Sequence, residues 1–347
     1  MASGDSIDTA QSRHTGPLET LFKAHRTRAL ALRSSSAAER IAKLERLRDR
    51  LFEKREAIHA ACYADFAKPA AEVEATEILP VVSEARHAIR RLKSWMKPRR
   101  RWPTLLMWGT RAEIRTEPRG ACLILSPWNY PINLSFGPLV SAIAAGNTVI
   151  LKPSEMTPHC AALMAEIVAE LFDEHEITVV QGAVDTAQAL LDLPFDHIFF
   201  TGSPAVGRHV MSAAARHLSS VTLELGGKSP AIVDRSADLK NAAQSLMWGK
   251  FANNGQTCIA PDYVYVHSQV KDVFLRACRD ALDTLYGPRE TLAYNTDYCR
   301  IVNDAHYRRL RELLDDAIER GAKLPVGTVP ANADRFIAPT LDRKSVV

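Results

Sequence analysis

The chain has 347 residues, 46% of them hydrophobic and 24% charged, with a formal net charge of +4; this excludes a disordered polyelectrolyte and suits a soluble protein of about two domains. The six cysteines, at 62, 122, 160, 258, 278 and 299, form no CxxC pair and have no histidine at zinc spacing nearby. A disulfide framework and a metal site are therefore not expected, and free thiols in a reducing cytoplasm are.

In chain order, residues 1–17 are polar, carry acids as well as bases, and lack the apolar run of a signal peptide, so they read as a disordered tail. From Ser36 to about Lys97 the pattern is helical. SAAE at 36–39 reads as a capping box, and Ile41, Leu44, Leu47 and Leu51 recur on one face, predicting two or three helices. The basic run RRLKSWMKPRRRW (90–102) reads as a solvated helix end and loop, and no nucleic-acid partner is inferred from it. After Pro103, ACLILS (121–126), TVILK (148–152), ITVVQG (177–182) and HIFFTG (197–202) each resemble a buried parallel strand. Helix-like segments such as CAALMAEIVAELF (160–172) separate them. This is the rhythm of a doubly wound α/β sheet, whose ligand crevice lies at the carboxyl ends of the strands. A second block begins near Leu225, with SPAIV (229–233) and YVYVH (263–267) as strands and helices over 239–251 and about 270–285. The predicted division is a tail, 1–17, a region of helices and cofactor-binding domain, 18–224, and a second α/β domain, 225–347. No segment offers the ~20 apolar residues of a membrane span; 138–151 is interrupted by Gly146 and Asn147.

Four stretches could carry chemistry. FTGSPAVG (200–207) puts Gly202 and Gly207 between a strand and a helix, where backbone amides could face a phosphate, although an ordinary strand-to-helix turn fits equally. KPSE (152–155) places Lys152 and Glu155 at a strand end, and such a pair is more often plain surface. LELGGKSP (223–230) sets Glu224 between leucines, where it is either paired or held in partial desolvation that would suit a base. NNGQTCIAPDY (253–263) isolates Cys258 between a polar approach and a proline. A lone cysteine is usually packing, and that reading stands for the other five.

In combination these motifs are specific. PWNYP (127–131), AAGNTVILKPSE (144–155), FTGSPAVG, LELGGKSP and GQTCIAP (255–261) occur in the order and at the intervals of the aldehyde dehydrogenase superfamily, which the chain strongly resembles from about residue 18 to 341. WGTRAEIR (108–115), SPWNYPINL (126–134) and VTLELGGKSPAIV (221–233) look most like its class 3 branch and, within it, bacterial coniferyl aldehyde dehydrogenases. The resemblance implies the aldehyde dehydrogenase-like fold, a doubly wound cofactor-binding domain plus an α/β catalytic domain. It implies that Cys258 is the nucleophile, Glu224 the general base and Asn129 the side-chain donor of the oxyanion hole. It also implies that Lys152 and Glu155 hold the adenosine ribose, that Gly202, Ser203 and Gly207 form the turn near the pyrophosphate, and that Pro127 and Trp128 contact the cofactor. The expected activity is oxidation of an aldehyde, aromatic such as coniferyl aldehyde or medium-chain, with NAD, NADP being possible. Glu155 would repel a 2′-phosphate and favours NAD. A coenzyme A-acylating relative and a non-catalytic fragment that binds nucleotide or a partner subunit are the alternatives; Glu224 argues against the first. The resemblance stops in FIAPTLD (336–342), where family members continue, so a C-terminally truncated catalytic domain of weak stability is expected, with a homodimer for a full-length chain.

Overall fold

The structure is a computed structural model that describes residues 15–288, 291–327 and 334–343. Its helices and strands, in chain order, are α1 (Thr15–Leu32), α2 (Ala37–Glu53), α3 (Arg55–Phe66), α4 (Ala70–Val73), α5 (Leu79–Trp95), β1 (Arg99–Arg101), β2 (Ala112–Ile114), β3 (Ala121–Leu125), α6 (Asn133–Ala145), β4 (Thr148–Lys152), α7 (Pro158–Leu171), β5 (Ile177–Val179), α8 (Val184–Leu191), β6 (His197–Gly202), α9 (Pro204–Ala215) and β7 (Ser220–Leu225). They continue with β8 (Ser229–Val233), α10 (Leu239–Phe251), β9 (Pro261–Val266), α11 (Lys271–Tyr286), α12 (Asp304–Glu319), β10 (Lys323–Val326) and β11 (Leu341–Arg343). A π-helical turn, Glu74–Ile78, leads into α5. The first helix starts at Thr15, inside the segment read as tail; residues 1–14 lie outside the described residues.

The chain divides into two compact units. One comprises the segment ending at Glu56, Ala75–Glu155 and Cys160–Glu224; the other comprises Ala57–Glu74, Met156–His159 and the segment from Leu225. The first unit is built on a five-stranded sheet ordered β5-β4-β3-β6-β7, in which β3 pairs in parallel with β4 and β6, and β4 with β5. Strand alternation explains its two layers. Ala121, Leu123, Leu125, Ile150, Ile198 and Phe200 meet Phe22 of α1, Leu190 of α8 and Val210 of α9. Helix α6 lies against β3 and β4, with α2 and α5 packed on it. Helix α2 begins at the capping box: Ser36 Oγ accepts from the Glu39 N–H at 3.3 Å while Glu39 Oε2 accepts from the Ser36 N–H at 2.6 Å, and Leu44, Leu47 and Leu51 are buried. Arg99–Arg101, read as loop, instead form the fully exposed strand β1 paired antiparallel with β2.

In the second unit β8 and β9 pair in parallel, and α10 and α11 pack on each other around Val233, Ala243, Met247, Phe251, Phe274 and Cys278. Tyr286, Tyr298 and Phe336 continue this core as edge-to-face aromatic pairs. Among the described residues, no helix is long and apolar enough to cross a membrane.

Candidate active site

The sheet order fixes where a ligand can lie in the first unit. The chain moves from β3 outward to β4 and β5, then returns to the other side of β3 with β6, so the winding reverses beside β3. The loops leaving β3 and β6 diverge there, opening the crevice that binds ligands in open α/β sheets. Pro127, Trp128 and Asn129 follow β3; Lys152 and Glu155 end and follow β4; Gly202, Ser203 and Gly207 end and follow β6. Eight of the ten predicted site residues thus gather at one end of three adjacent strands.

Each loop has a local cause. The Ser126 N–H donates to the Lys152 carbonyl at 3.0 Å, tying the start of the β3 loop to the neighbouring strand end. Pro127, Trp128 and Asn129 are half-buried. The loop then enters α6, whose first N–H groups lack intrahelical acceptors. Glu77, buried in the π-helical turn, supplies one: its Oε2 accepts from the N–H groups of Ile132 at 3.1 Å and Asn133 at 2.9 Å. At the far end of α6, buried Arg40 donates through Nη1 to the carbonyls of Ala144 at 3.1 Å and Ala145 at 2.8 Å. A carboxylate at the amino end and a guanidinium at the carboxyl end both complement the helix dipole. Neither residue stands out in the sequence, because each acts on a helix far along the chain.

Lys152 is buried and donates to the Pro153 carbonyl and to Glu155 Oε2, both at 3.0 Å. Burial pushes the Glu155 carboxyl up, but its own backbone N–H and the Lys152 ammonium outweigh this, and the net shift is downward. The carboxylate is therefore ionised and partly open to solvent, with 38% of its side chain exposed. After β6, Ser203 is the N-cap of α9 and accepts from the Val206 N–H at 3.3 Å, with Pro204 at the first helical position. Gly202 must lack a side chain, since a Cβ there would lie 2.4 Å from Phe200 Cζ. The turn exposes bare backbone at a helix amino end, the geometry that receives phosphate.

Glu224 differs from expectation. It lies near the end of β7, the strand beside β6; Leu223 packs on the core, while Glu224 and Leu225 are both exposed. The alternation of the strand turns the carboxylate away from the face that holds Leu223, so the flanking leucines do not desolvate it.

Cys258 belongs to the second unit. It follows α10 and a short 3-10 turn, Ala252–Gly255, in which Asn253, Asn254 and Gly255 all have left-handed φ values of 56°, 51° and 72°. Cys258 is half-buried, whereas the other five cysteines are buried. Burial pushes the Cys122 and Cys278 thiols up to about 12 and raises that of Cys299 as well, with the nearby Glu72 carboxyl adding to the last. Thiols in that condition are inert at neutral pH. Among the described residues, no group of three or more His, Cys, Asp or Glu is placed to hold a metal ion.

A profile of the Aldehyde dehydrogenase family matches residues 2–344. The chain belongs to this family. A probable coniferyl aldehyde dehydrogenase of Pseudomonas aeruginosa is 44% identical over 308 residues, which cover 88% of this chain and 64% of that one. A substrate-bound aldehyde dehydrogenase structure from Staphylococcus aureus superposes with a TM-score of 0.87 at 39% identity, covering 93% of this chain and 69% of the other. The Mycobacterium tuberculosis aldehyde dehydrogenase complexed with NAD+ superposes with a TM-score of 0.85 at 26% identity, covering 94% and 68%. The family fold is thus present, and the chain spans about two thirds of the length of these relatives.

Proposed function

We propose that the chain oxidises an aldehyde to the carboxylic acid, with NAD or NADP as acceptor, through a covalent adduct on Cys258. The observation that carries this reading is the contrast between Cys258, half-buried three residues after a left-handed turn, and five buried thiols.

An aldehyde carbon is electron-poor and does not release hydride readily. Attack by the Cys258 sulfur forms a C–S bond and a tetrahedral alkoxide, from which hydride departs far more easily. In this reading the Asn129 carboxamide and the Cys258 N–H donate to that oxygen, a preorganised stabilisation whose loss typically costs about a hundred- to thousandfold in rate. The end of the sheet suits a dinucleotide. Gly202 and Ser203 offer a side-chain-free turn at the start of α9 for the pyrophosphate, and the Lys152–Glu155 pair offers a charged and a hydrogen-bonding group for a ribose. When bound, the nicotinamide supplies the acceptor for the hydride. The acyl group then remains on Cys258 as a thioester. Glu224, exposed to water, takes a proton from the water that attacks the thioester; the acid leaves and the thiolate is regenerated.

The Pseudomonas relative supports an aromatic substrate such as coniferyl aldehyde, and medium-chain aldehydes are the second class. The ionised Glu155 favours NAD over NADP. A cytoplasmic location belongs to the same reading, because six cysteines with no disulfide among them suit a reducing compartment, and so does a homodimer for a full-length chain, checked by sedimentation.

The test follows absorbance at the reduced-nicotinamide band with coniferyl aldehyde, benzaldehyde and a medium-chain aldehyde, each with NAD and with NADP. Sustained turnover that Cys258→Ser abolishes is the expected result. Folded protein without turnover would favour a nucleotide-binding fragment instead.

A further inference from the structure

Three successive residues, Asn253, Asn254 and Gly255, adopt left-handed backbone, the longest such run among the described residues. Left-handed φ is unfavourable for residues with a Cβ, and it persists only where surroundings over-determine it. Here the surroundings are specific. The Asn253 N–H donates to Glu72 Oε2 at 2.9 Å. Asn254 Nδ2 donates to the Cys299 carbonyl at 2.9 Å, and its Oδ1 accepts from the Tyr298 hydroxyl at 2.8 Å. Gln256 uses both ends of its amide. Nε2 donates to the carbonyls of Asn253 at 3.1 Å and Arg300 at 3.0 Å, while Oε1 accepts from the Val302 N–H at 3.0 Å. Tyr298, Cys299 and Val302 are buried, so the segment 298–302 is a fixed platform.

The consequence falls on the next few residues. The span 257–260 is held at one side by Gln256 and at the other by β9, which starts at Pro261, and the Ala260 N–H closes it by donating to the Thr257 carbonyl at 3.3 Å. Cys258 lies within it. We infer that Gln256, backed by Asn254 and Tyr298, is a positioning residue that clasps the left-handed turn to segment 298–302 and thereby sets the orientation of the Cys258 thiol and N–H. The inference rests on Cys258 being the nucleophile. A primary amide is required, because the clasp needs two donors and one acceptor on a single flat group. A carboxylate of the same shape would face two carbonyl oxygens with no hydrogen to give.

The experiment compares Gln256→Glu and Cys258→Ser with the unmodified chain in three readouts: kcat and KM for aldehyde and cofactor, the rate of alkylation by iodoacetamide, and the thermal melt. Since the other five thiols are buried, the fast alkylation phase reports Cys258. For Gln256→Glu the expected result is a fall of about ten- to hundredfold in both kcat and the alkylation rate, the scale of a misplaced reacting group. The KM values should stay within about threefold and the melt should remain cooperative. A melt that shifts while kcat and alkylation do not would overturn the inference and leave a merely structural role. A fast thiol and turnover that survive Cys258→Ser would overturn the nucleophile assignment itself, a separate failure. Should Gln256→Glu not fold, Tyr298→Phe removes one oxygen from the same clasp. A several-fold slower alkylation of folded Tyr298→Phe supports the inference, and an unchanged rate refutes it.

Discussion

Replacing Glu77 by alanine tests how the loop bearing Asn129 is held. The carboxylate accepts two backbone N–H groups at the start of α6, at 3.1 and 2.9 Å, from a position that is fully buried. Hydrogen bonds to a charged group contribute about 1.5–3 kcal/mol each, and donors left buried without an acceptor cost about 1–3 kcal/mol. The negative charge at the helix amino end adds about 0.3–1 kcal/mol. Allowing for partial rescue by water, the loss should be about 2–5 kcal/mol, among the larger effects of a point substitution. For a unit of this size that lowers the melting temperature by about 5–15 °C. Glu77→Gln keeps an acceptor oxygen and should lose about half as much. Calorimetry and urea titration of the three proteins give the free energies, and kcat measured well below the melt reads the loop directly. If Glu77→Ala melts within about 1 °C of the unmodified chain, the account of α6 as a helix held by this carboxylate is wrong.

Three further outcomes follow from the geometry. Glu155→Gln removes a carboxylate that opposes a 2′-phosphate; like charges about 4 Å apart in water cost about 1 kcal/mol, so the NADP to NAD ratio of kcat/KM should rise about fivefold. Gly202→Ala puts a Cβ 2.4 Å from Phe200 Cζ; overpacking should cost about 1–3 kcal/mol in the melt and weaken NAD binding by titration calorimetry. Burial lowers His25 from 6.5 to about 4, its Nε2–H donating to the Glu174 carbonyl at 2.8 Å. A folded value below the unfolded one means that the full contribution is present above pH 6.5. It is lost by about 1.4 kcal/mol per pH unit as pH falls toward 4, where the unfolded chain takes up a proton that the folded chain refuses. Urea titrations should show the gap between wild type and His25→Gln narrowing across that window; a constant gap would contradict it.

What could be read from the sequence was set by burial and by distance along the chain. Strands β3 and β4 are buried at every position; β3 appears as an unbroken apolar run, and β4 as three apolar residues, Val149 to Leu151, between Thr148 and Lys152. The Ser36–Glu39 capping box is local, and its signature predicts its bonds. By contrast β7 and α12 bury no residue fully, and their apolar residues are periodic, Val221, Leu223 and Leu225 alternating along the strand and Tyr307, Leu310, Leu314 and Ala317 recurring along the helix, so neither gives an unbroken run. The placement of Gly202, Lys152 and Glu155 at the edge of the sheet was legible because they sit in short motifs at strand ends, while the roles proposed for them come from the family resemblance. The supports of the site were not legible. Glu77 reaches across 55 residues to Ile132, and Glu72 across 181 to Asn253. No window of sequence contains both partners of such a bond. The exposure of Glu224 escaped for a related reason: leucine neighbours in sequence lie on the opposite face of a strand.

The turn before Cys258 also bears on how this chain ages. Asn254–Gly255 is the kind of dipeptide that cyclises to a succinimide in a mobile chain, since glycine puts no side chain in the way of the attacking backbone nitrogen. In the fold both ends of the Asn254 carboxamide are engaged, by the Cys299 carbonyl and the Tyr298 hydroxyl, and its backbone is left-handed. Deamidation must then wait for the turn to open. The slow appearance of an extra negative charge in stored protein becomes a clock for local unfolding beside the reactive thiol, running long before any global loss of structure.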